Sequence, residues 1–185
     1  MRVLLATGNA HKVEEVQEIL GPSWTVEAHD TGAEENGTTF EENALIKARA
    51  LASEVGALAV ADDSGIEIDH LDGAPGIHSA RWTGGSGWIE RVLRELDGVP
   101  APGRTCRYVC AAAAVWPDGR EEVVRGIVEG VVVGAPRGDG GFGYDPIVAP
   151  VESDGRTFAE MSPDEKHEIS HRARAFRRLW SEIVG

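Results

Sequence analysis

Two adjacent aspartates, Asp62 and Asp63, stand between apolar residues in the stretch VADDSGIEID at positions 60–69. Neighbouring residues of a strand point to opposite faces, so we do not expect the two carboxylates to be equivalent. Carboxylates at the end of a buried strand in an open α/β sheet lie where ligands bind, and Mg²⁺ uses such oxygens together with substrate phosphates. Asp-Ser-Gly is also good turn chemistry, so this stretch alone indicates a capped hairpin turn as readily as a site.

The stretch ATGNAHK at positions 6–12 passes from a predicted strand into the start of a predicted helix. Free backbone amides and the positive end of the helix dipole accept anions at such a junction. Gly8 permits close backbone approach, Thr7 and Asn9 can donate hydrogen bonds, and Lys12 lies in the first turn. The stretch lacks the second glycine and the ending of a Walker loop. Taken alone, it is better explained as an Asn-capped turn with a solvent-exposed lysine.

The stretch GGFGYDP at positions 140–146 is the core of a glycine-rich loop over 134–146. A loop of this kind either makes sharp turns or lets the backbone approach a ligand. Phe142, held among glycines, could stack on a nucleobase. The alternative is that Phe142 and Tyr144 fill the core beneath a surface loop.

The stretch EKHEISHR at positions 165–172 combines several basic side chains on a predicted helix. Lys166 and Arg172 share one flank of that helix. His171 lies on another side and can join them only if the helix bends near Ser170. Basic residues of a terminal helix are usually a solvated face, so this group is ambiguous by itself.

Hydrophobic periodicity and capping residues predict the elements that position these motifs. The predicted strands cover 2–6, 24–28, 57–63 and 65–69, followed by a hairpin of 105–116 and 121–133. The predicted helices cover 38–56, 87–98 and 162–184, with a further helix over 13–20 that follows the first motif. This pattern indicates an α/β fold with a mixed sheet.

Composition places the chain among ordinary globular proteins. Of its 185 residues, 42% are hydrophobic and 26% are charged, and no apolar run approaches the roughly 20 residues that a membrane helix needs. The first residues, MRVLLATGN, pass at once from an apolar run to polar residues, which indicates a first strand and not a signal peptide. We therefore expect a cytoplasmic protein that forms one domain over 1–185 and has no membrane partner.

The charge balance limits the possible partners. The formal net charge is −13, from 18 basic and 31 acidic residues, and no basic run offsets it, so we expect no nucleic-acid partner. An anionic ligand would have to be met locally by a few lysines or arginines, backbone amides or a bound cation. Cys106 and Cys110 share a predicted strand at a spacing too long for a disulfide, so both are predicted to be core residues.

Six motifs, in their order along the chain, resemble the inosine/xanthosine triphosphate pyrophosphatase family. They are ATGNAHK, TTFEENALIKARA, ADDSGIEID, GAPGIHSARW, GGFGYDP and EKHEISHRARA, and they extend from Thr7 to Arg172. The resemblance implies an α/β fold with an elongated mixed β-sheet flanked by helices and two lobes with a central active-site cleft, usually in a homodimer. It implies Mg²⁺-dependent hydrolysis of ITP, dITP or XTP to the monophosphate and pyrophosphate, which cleanses the nucleotide pool.

The resemblance also assigns roles to residues of this chain. Asp63 would orient or deprotonate the attacking water, with Asp62 supporting it, and Mg²⁺ would be held by Asp63 and Glu35, with Glu34 close enough to take the place of Glu35. The catalytic set would then be Asp62, Asp63, Lys12 and Lys47. The substrate would be bound at its phosphates by Thr7, Gly8, Asn9, Lys12 and Lys47, with Ser64 in contact, and at its purine by Phe142, Gly143, Tyr144, Asp145, Lys166, His171 and Arg172.

The implied base preference has a physical reason. A 6-keto purine presents a hydrogen-bond acceptor where adenine presents an amino donor, so donors from the backbone, His171 and Arg172 would favour hypoxanthine or xanthine. Two alternatives differ in substrate or in class. One is a related nucleotide pyrophosphatase that prefers canonical or pyrimidine triphosphates; the other is a nucleotide-binding protein without turnover.

Overall fold

The sheet of the computed structural model, which describes residues 1–84 and 86–184, is mixed. Its strands are β1 (Arg2–Leu5), β2 (Thr25–Ala28), β3 (Ala59–Ile68), β4 (Thr105–Val115), β5 (Glu121–Val132) and β6 (Val148–Pro150). Their order is β2-β1-β3-β4-β5-β6. Strand β1 pairs in parallel with β2 and β3, whereas β5 and β6 are antiparallel. The mixed α/β sheet predicted from the sequence is confirmed.

Five α-helices accompany the sheet within the described residues. They are α1 (Ala10–Leu20), α2 (Phe40–Val55), α3 (Trp88–Glu95), α4 (Pro163–Ile169) and α5 (His171–Val184). Helix α2 shows why these bounds arise: the Thr39 hydroxyl accepts a hydrogen bond from the Glu42 amide, and Gly56 ends the helix in the left-handed conformation at φ +62°. These bounds agree with the helix predicted over 38–56.

The chain divides into two compact units, each with its own hydrophobic core. The first unit contains Met1–Ser64, Cys110–Gly126 and the residues from His171 onward. Its core brings Val3 and Leu5 of β1 together with Phe176 and Leu179 of α5. The second unit contains Gly65–Val109 and Ile127–Ser170, and its core includes Ile66, Tyr108 and Phe158. Each unit therefore buries apolar surface contributed by distant parts of the chain.

The two aspartates lie inside a strand and not at its end. The predicted separate strands over 57–63 and 65–69 form the single strand β3, so the turn expected at Asp-Ser-Gly is absent. Side chains continue to alternate between the two faces of the sheet through this stretch, and most residues on both faces are buried. This burial favours continued pairing with neighbouring strands over a turn. Pairing with β1 stops at Val60, however, so Asp62 and Asp63 still lie beyond the carboxyl end of β1.

The helix predicted over 162–184 is broken at Ser170. Helix α4 ends at Ile169, Ser170 has the extended values φ −64° and ψ 150°, and α5 begins at His171. The predicted start of α4 is confirmed, because the Ser162 and Glu165 side chains form a capping box around Pro163. The bend that the sequence allowed near Ser170 is thus a complete interruption.

Three smaller features complete the fold. The loop after β5 leads into the short strand β6, which was not predicted. Cys106 and Cys110 are free and buried, as predicted. Among the described residues, no helix has both the length and the apolar character required to cross a membrane.

Candidate active site

The turn between β1 and α1 is fixed by its own side chains. The Asn9 side chain caps α1 by accepting from the His11 amide at 3.0 Å, and the Asn9 amide donates to the Thr7 hydroxyl at 3.1 Å. A Cβ on Gly8 would lie 2.7 Å from a carboxylate oxygen of Asp30, so glycine at this position leaves room for the Asp30 carboxylate. The Asn-capped turn expected from the sequence is therefore present.

Lys12 is not the solvent-exposed lysine that the turn alone suggested. Its side chain is only 14% exposed, and its Nζ lies 3.1 Å from Asp62 Oδ2. The same ammonium donates to the Asp62 carbonyl oxygen at 3.3 Å. The first turn of α1 thus places a buried positive charge directly beside the aspartate pair.

Asp62 is completely buried and surrounded by cations. Besides Lys12, the guanidinium of Arg172 lies 3.4 Å from its Oδ2, and the Cys110 sulfur lies 3.8 Å from the same oxygen. Burial alone would raise the pKa of Asp62, but Lys12 and Arg172 hold that pKa well below its ordinary value. Asp62 is therefore ionised at neutral pH and serves as a buried anchor for positive charges.

Asp63 has the opposite character. Its Oδ2 accepts a hydrogen bond from Asn43 Nδ2 at 3.1 Å, and its Oδ1 lies 3.8 Å from Lys47 Nζ. Burial raises the pKa of Asp63 above its ordinary value, and the nearby Glu35 carboxylate adds to this rise, although Lys47 acts in the other direction. Two neighbouring carboxylates with pKa values shifted apart have different chemical roles, and Asp63 is the better proton acceptor.

Lys47 joins Asp63 to the loop before α2. Its Nζ donates to Glu35 Oε1 at 2.5 Å, while Glu34 is exposed. Burial would lower the pKa of Lys47, but the Asp62 and Asp63 carboxylates more than offset this, so that its pKa is raised. The structure therefore brings Glu35, and not Glu34, into the electrostatic neighbourhood of Asp63.

Arg172 enters this group of charges from α5. Its side chain is 2% exposed, its Nη1 is hydrogen-bonded to the Glu15 carboxylate of α1, and its Nη2 donates to the Ser64 hydroxyl at 2.8 Å. Burial alone would lower the pKa of Arg172, but Asp62 and Glu15 raise it. The guanidinium implied to bind the purine thus also holds Asp62, Glu15 and Ser64 in fixed positions.

The second unit contains a separate buried cluster around Asp145. Its Oδ2 accepts from Lys166 Nζ at 2.7 Å and from the Phe142 amide at 2.8 Å, and its Oδ1 accepts from the Tyr108 hydroxyl at 3.1 Å. A Cβ on Gly141 would lie 2.1 Å from Asp145 Oδ2, so glycine is required there. Asp145 therefore organises the glycine-rich loop and the ammonium of Lys166 together.

The two aromatic residues of the glycine-rich loop have different surroundings. Phe142 is half-buried, with Lys166 Nζ 4.9 Å from its ring centroid, a geometry that suits a cation–π contact. Tyr144 is 5% exposed, and its hydroxyl donates to the Ser79 carbonyl oxygen at 2.8 Å. The Gly143 carbonyl oxygen accepts from the Trp88 indole at 3.4 Å. Tyr144 thus fills the core, while Phe142 is only half-buried.

Comparison with known proteins identifies the family. The model of the Ham1 family matches residues 3–182. The chain belongs to the Ham1 family. It is 51% identical to the dITP/XTP pyrophosphatase of Symbiobacterium thermophilum, with 98% of this chain and 94% of the relative covered, and 45% identical to that of Bacillus subtilis, with 95% and 93% covered. The Ham1 protein of Staphylococcus aureus superimposes with a TM-score of 0.86 at 34% identity, covering 99% of this chain and 98% of that one.

Ham1-family membership confirms the resemblance seen in the six motifs and extends it to almost the whole chain. A second solved structure, the Ham1 protein of Coxiella burnetii, has a TM-score of 0.85 at 36% identity and covers 99% of this chain and 98% of that one. The agreement in fold therefore includes both compact units.

The donor groups around Lys47 suit a hard divalent cation. Within residues 1–84 and 86–184, no set of three or more histidine, cysteine or acidic side chains forms a metal site by itself. Mg²⁺ needs fewer protein ligands, because it uses one or two carboxylates and takes its other oxygens from water and substrate phosphates. The carboxylates of Glu35 and Asp63 both lie against Lys47 Nζ, at 2.5 and 3.8 Å. These two residues fit the group that the family resemblance implies.

Three residues with hydrogen bonds to predicted site residues were missed by sequence reasoning. Asn43 is fully buried against Asp63, and its position four residues before Lys47 on α2 was an available signal, because residues at that spacing share a helix face. Glu15 follows Lys12 by three residues on α1 and offered the same kind of signal. Tyr108 gave none, because its contact with Asp145 joins residues 37 apart in the chain.

Under the activity that the family resemblance implies, replacing Tyr108 by phenylalanine is expected to weaken substrate binding more than turnover. Burial raises the pKa of Tyr108 well above its ordinary value, so the hydroxyl keeps its proton and donates to Asp145. Its removal should raise KM for dITP about 3- to 10-fold and leave kcat within about twofold, since one hydrogen bond is lost. Steady-state kinetics with a melting curve as folding control measures both. A fall in kcat at unchanged KM would contradict this role.

Proposed function

We propose that this chain hydrolyses non-canonical purine nucleoside triphosphates (dITP, XTP and ITP) to the monophosphate and pyrophosphate, with Mg²⁺ as cofactor. The observation that carries the proposal is the division of the aspartate pair into a fully buried Asp62 held by Lys12 and Arg172 and an Asp63 that accepts from Asn43 and lies 3.8 Å from Lys47 Nζ. A protein that only bound nucleotides would have no need of a proton acceptor in that position. The printed names of the relatives, dITP/XTP pyrophosphatases, support the same reaction.

The first unit supplies groups for the triphosphate and for the attacking water. The turn Thr7–Asn9 would bind phosphate oxygens at the start of α1, and Lys12 and Lys47 would neutralise charge as pyrophosphate leaves. Asp63, oriented by Asn43, would accept a proton from water aligned with the α-phosphorus. Glu35 and Asp63 would hold Mg²⁺, which supplies Lewis-acid polarisation of the phosphoryl oxygens when bound.

The glycine-rich loop and α4 would supply groups for the base. Phe142, which is half-buried, would stack on the purine, and Lys166, fixed by Asp145, would offer a donor to a keto oxygen. When adenine binds, its 6-amino group cannot accept the hydrogen bond that a 6-keto group accepts, so the protein donor is left without a partner. Such mismatches produce large specificity ratios. His171 is buried at the start of α5, and its role toward the base, like that of Arg172, is proposed from the family resemblance.

A substrate panel tests the proposed reaction. The protein is incubated with Mg²⁺ and, separately, dITP, XTP, ITP, dGTP, ATP and UTP, while pyrophosphate and inorganic phosphate are both measured. We expect stoichiometric pyrophosphate from dITP, XTP and ITP, no inorganic phosphate, and activity that chelation removes and Mg²⁺ restores. Inorganic phosphate as product would contradict cleavage at the α-phosphorus. A preference for ATP or UTP would contradict the base selectivity, and binding without turnover would contradict the enzyme.

A further inference from the structure

Gly126 lies on β5 at the point where the first turn of α5 comes closest to that strand. A Cβ built on this glycine would lie 2.1 Å from the His171 carbonyl oxygen and 2.6 Å from the Ala175 amide nitrogen. Both of these obstructing atoms belong to the backbone, so no rotamer change can relieve the overlap. The φ of Gly126 is not positive, and glycine is therefore needed here for space and not for backbone conformation.

The segment that presses against Gly126 carries Arg172. His171, whose carbonyl oxygen is the nearest obstructing atom, is the residue immediately before it. A side chain at position 126 would need movement of roughly 1 Å or more to reach ordinary contact distance. The Arg172 Nη2 donates to the Ser64 hydroxyl at 2.8 Å and lies 3.4 Å from Asp62 Oδ2, so the second of these contacts is already near the limit for a hydrogen bond.

We propose that Gly126 is a positioning residue for the hydrolytic site. Because Gly126 has no side chain, the first turn of α5 packs directly against β5. This contact sets the position of the Arg172 guanidinium relative to Asp62 and Ser64. Asp62 in turn is the anion that holds Lys12 at 3.1 Å. The consequence for turnover rests on the proposed function, whereas the consequence for the Arg172 contacts does not.

Gly130 provides a matched control on the same strand. It also has no positive φ, and a Cβ there would lie 2.9 Å from the Ala149 carbonyl oxygen, so alanine is crowded against backbone at both positions. Ala149 belongs to β6 and not to the helix that carries Arg172. G130A therefore crowds β5 against backbone, less severely than G126A, without pressing on the helix that carries Arg172.

The test compares wild type, G126A and G130A by crystallography, melting temperature and dITP hydrolysis. In G126A we expect the Arg172 Nη2 to Ser64 Oγ distance to exceed 3.5 Å and kcat/KM to fall about 10- to 100-fold, the scale associated with misplacement by about 1 Å. G130A should lose stability yet keep kcat/KM within about threefold. The double variant G126A/R172K should have a kcat/KM less than about threefold below that of R172K alone, because R172K already impairs the Arg172 contacts through which G126A acts.

Several outcomes would overturn the proposal. Unchanged Arg172 contacts in a folded G126A would refute the proposal without reference to activity. Equal losses of kcat/KM in G126A and G130A would show that crowding of β5 in general, and not the position of Arg172, lowers the activity. If G126A does not fold, A175V displaces α5 from its own side, since Ala175 is fully buried in the same core as Val124. A folded A175V with displaced Arg172 but full activity would then contradict the role. Absence of dITP hydrolysis by wild type contradicts the proposed function instead.

Discussion

Asp63→Asn is expected to lower the rate of pyrophosphate release by about 10²- to 10⁴-fold while nucleotide binding stays within a few-fold of wild type. Asparagine keeps the shape of Asp63 but cannot accept a proton from water. Single-turnover kinetics and nucleotide titration measure these two effects.

Asp62→Asn serves as the control for Asp63→Asn because it alters the neighbouring carboxylate in the same way. It leaves the buried Arg172 and Lys12 short of a counter-charge, so its main effect should be a loss of stability. Full activity in Asp63→Asn would show that another carboxylate is the base. A loss of binding as large as the loss of turnover would show that Asp63 acts chiefly through metal or substrate affinity.

Arg172→Met is expected to destabilise the fold by about 3–5 kcal/mol, which lowers the melting temperature by on the order of 10 °C for a chain of this length. Methionine leaves the buried carboxylates of Asp62 and Glu15 without their shared guanidinium. The folded-state pKa of Asp62 is depressed, so its contribution to stability is complete above the unfolded-state pKa of about 4 and is lost as the pH falls below it.

The difference in stability between wild type and Arg172→Met should therefore be full at pH 7 and shrink below about pH 4. Urea unfolding at both pH values measures the difference in the free energy of unfolding. Arg178→Met, at an exposed position of the same helix, is the matched control and should change stability by less than about 0.5 kcal/mol. A pH-independent deficit would indicate lost packing of the Arg172 side chain and not lost charge pairing.

Local patterns predicted the elements that depend on local chemistry. The helix starts near residues 38 and 162, the end of α2 at Gly56 and the hairpin of β4 and β5 were all predicted, because their signals lie within a few residues of the structure they specify. The continuous course of β3 was not, because Asp-Ser-Gly favours a turn locally while pairing with neighbouring strands keeps the segment extended.

The interruption at Ser170 and the contacts within the site depended on distant parts of the chain. Neither glycine nor proline marks the break between α4 and α5. The hydrophobic periodicity of the sequence therefore predicted one continuous helix. The motifs identified Asp62 and Asp63, but their different roles arise from burial and from Lys12, Arg172 and Asn43, which the fold brings together. The sequence therefore identified the chemical groups of the site, whereas the different electrostatic environments of Asp62 and Asp63 became visible only in the three-dimensional structure.

The salt-bridge contacts of Arg172 also determine when the first unit can be completed during synthesis. Arg172 follows Asp62 by 110 residues and Glu15 by 157. At a translation rate of about 5–20 residues per second, Asp62 is made roughly 5–20 s before its guanidinium partner. Until then a buried Asp62 would have Lys12 but not Arg172 as a counter-charge, which weakens the early closure of this core. A ribosome that stops before residue 172 thus releases a chain that has every predicted catalytic residue but lacks the second of the two cations, Lys12 and Arg172, that hold the buried Asp62.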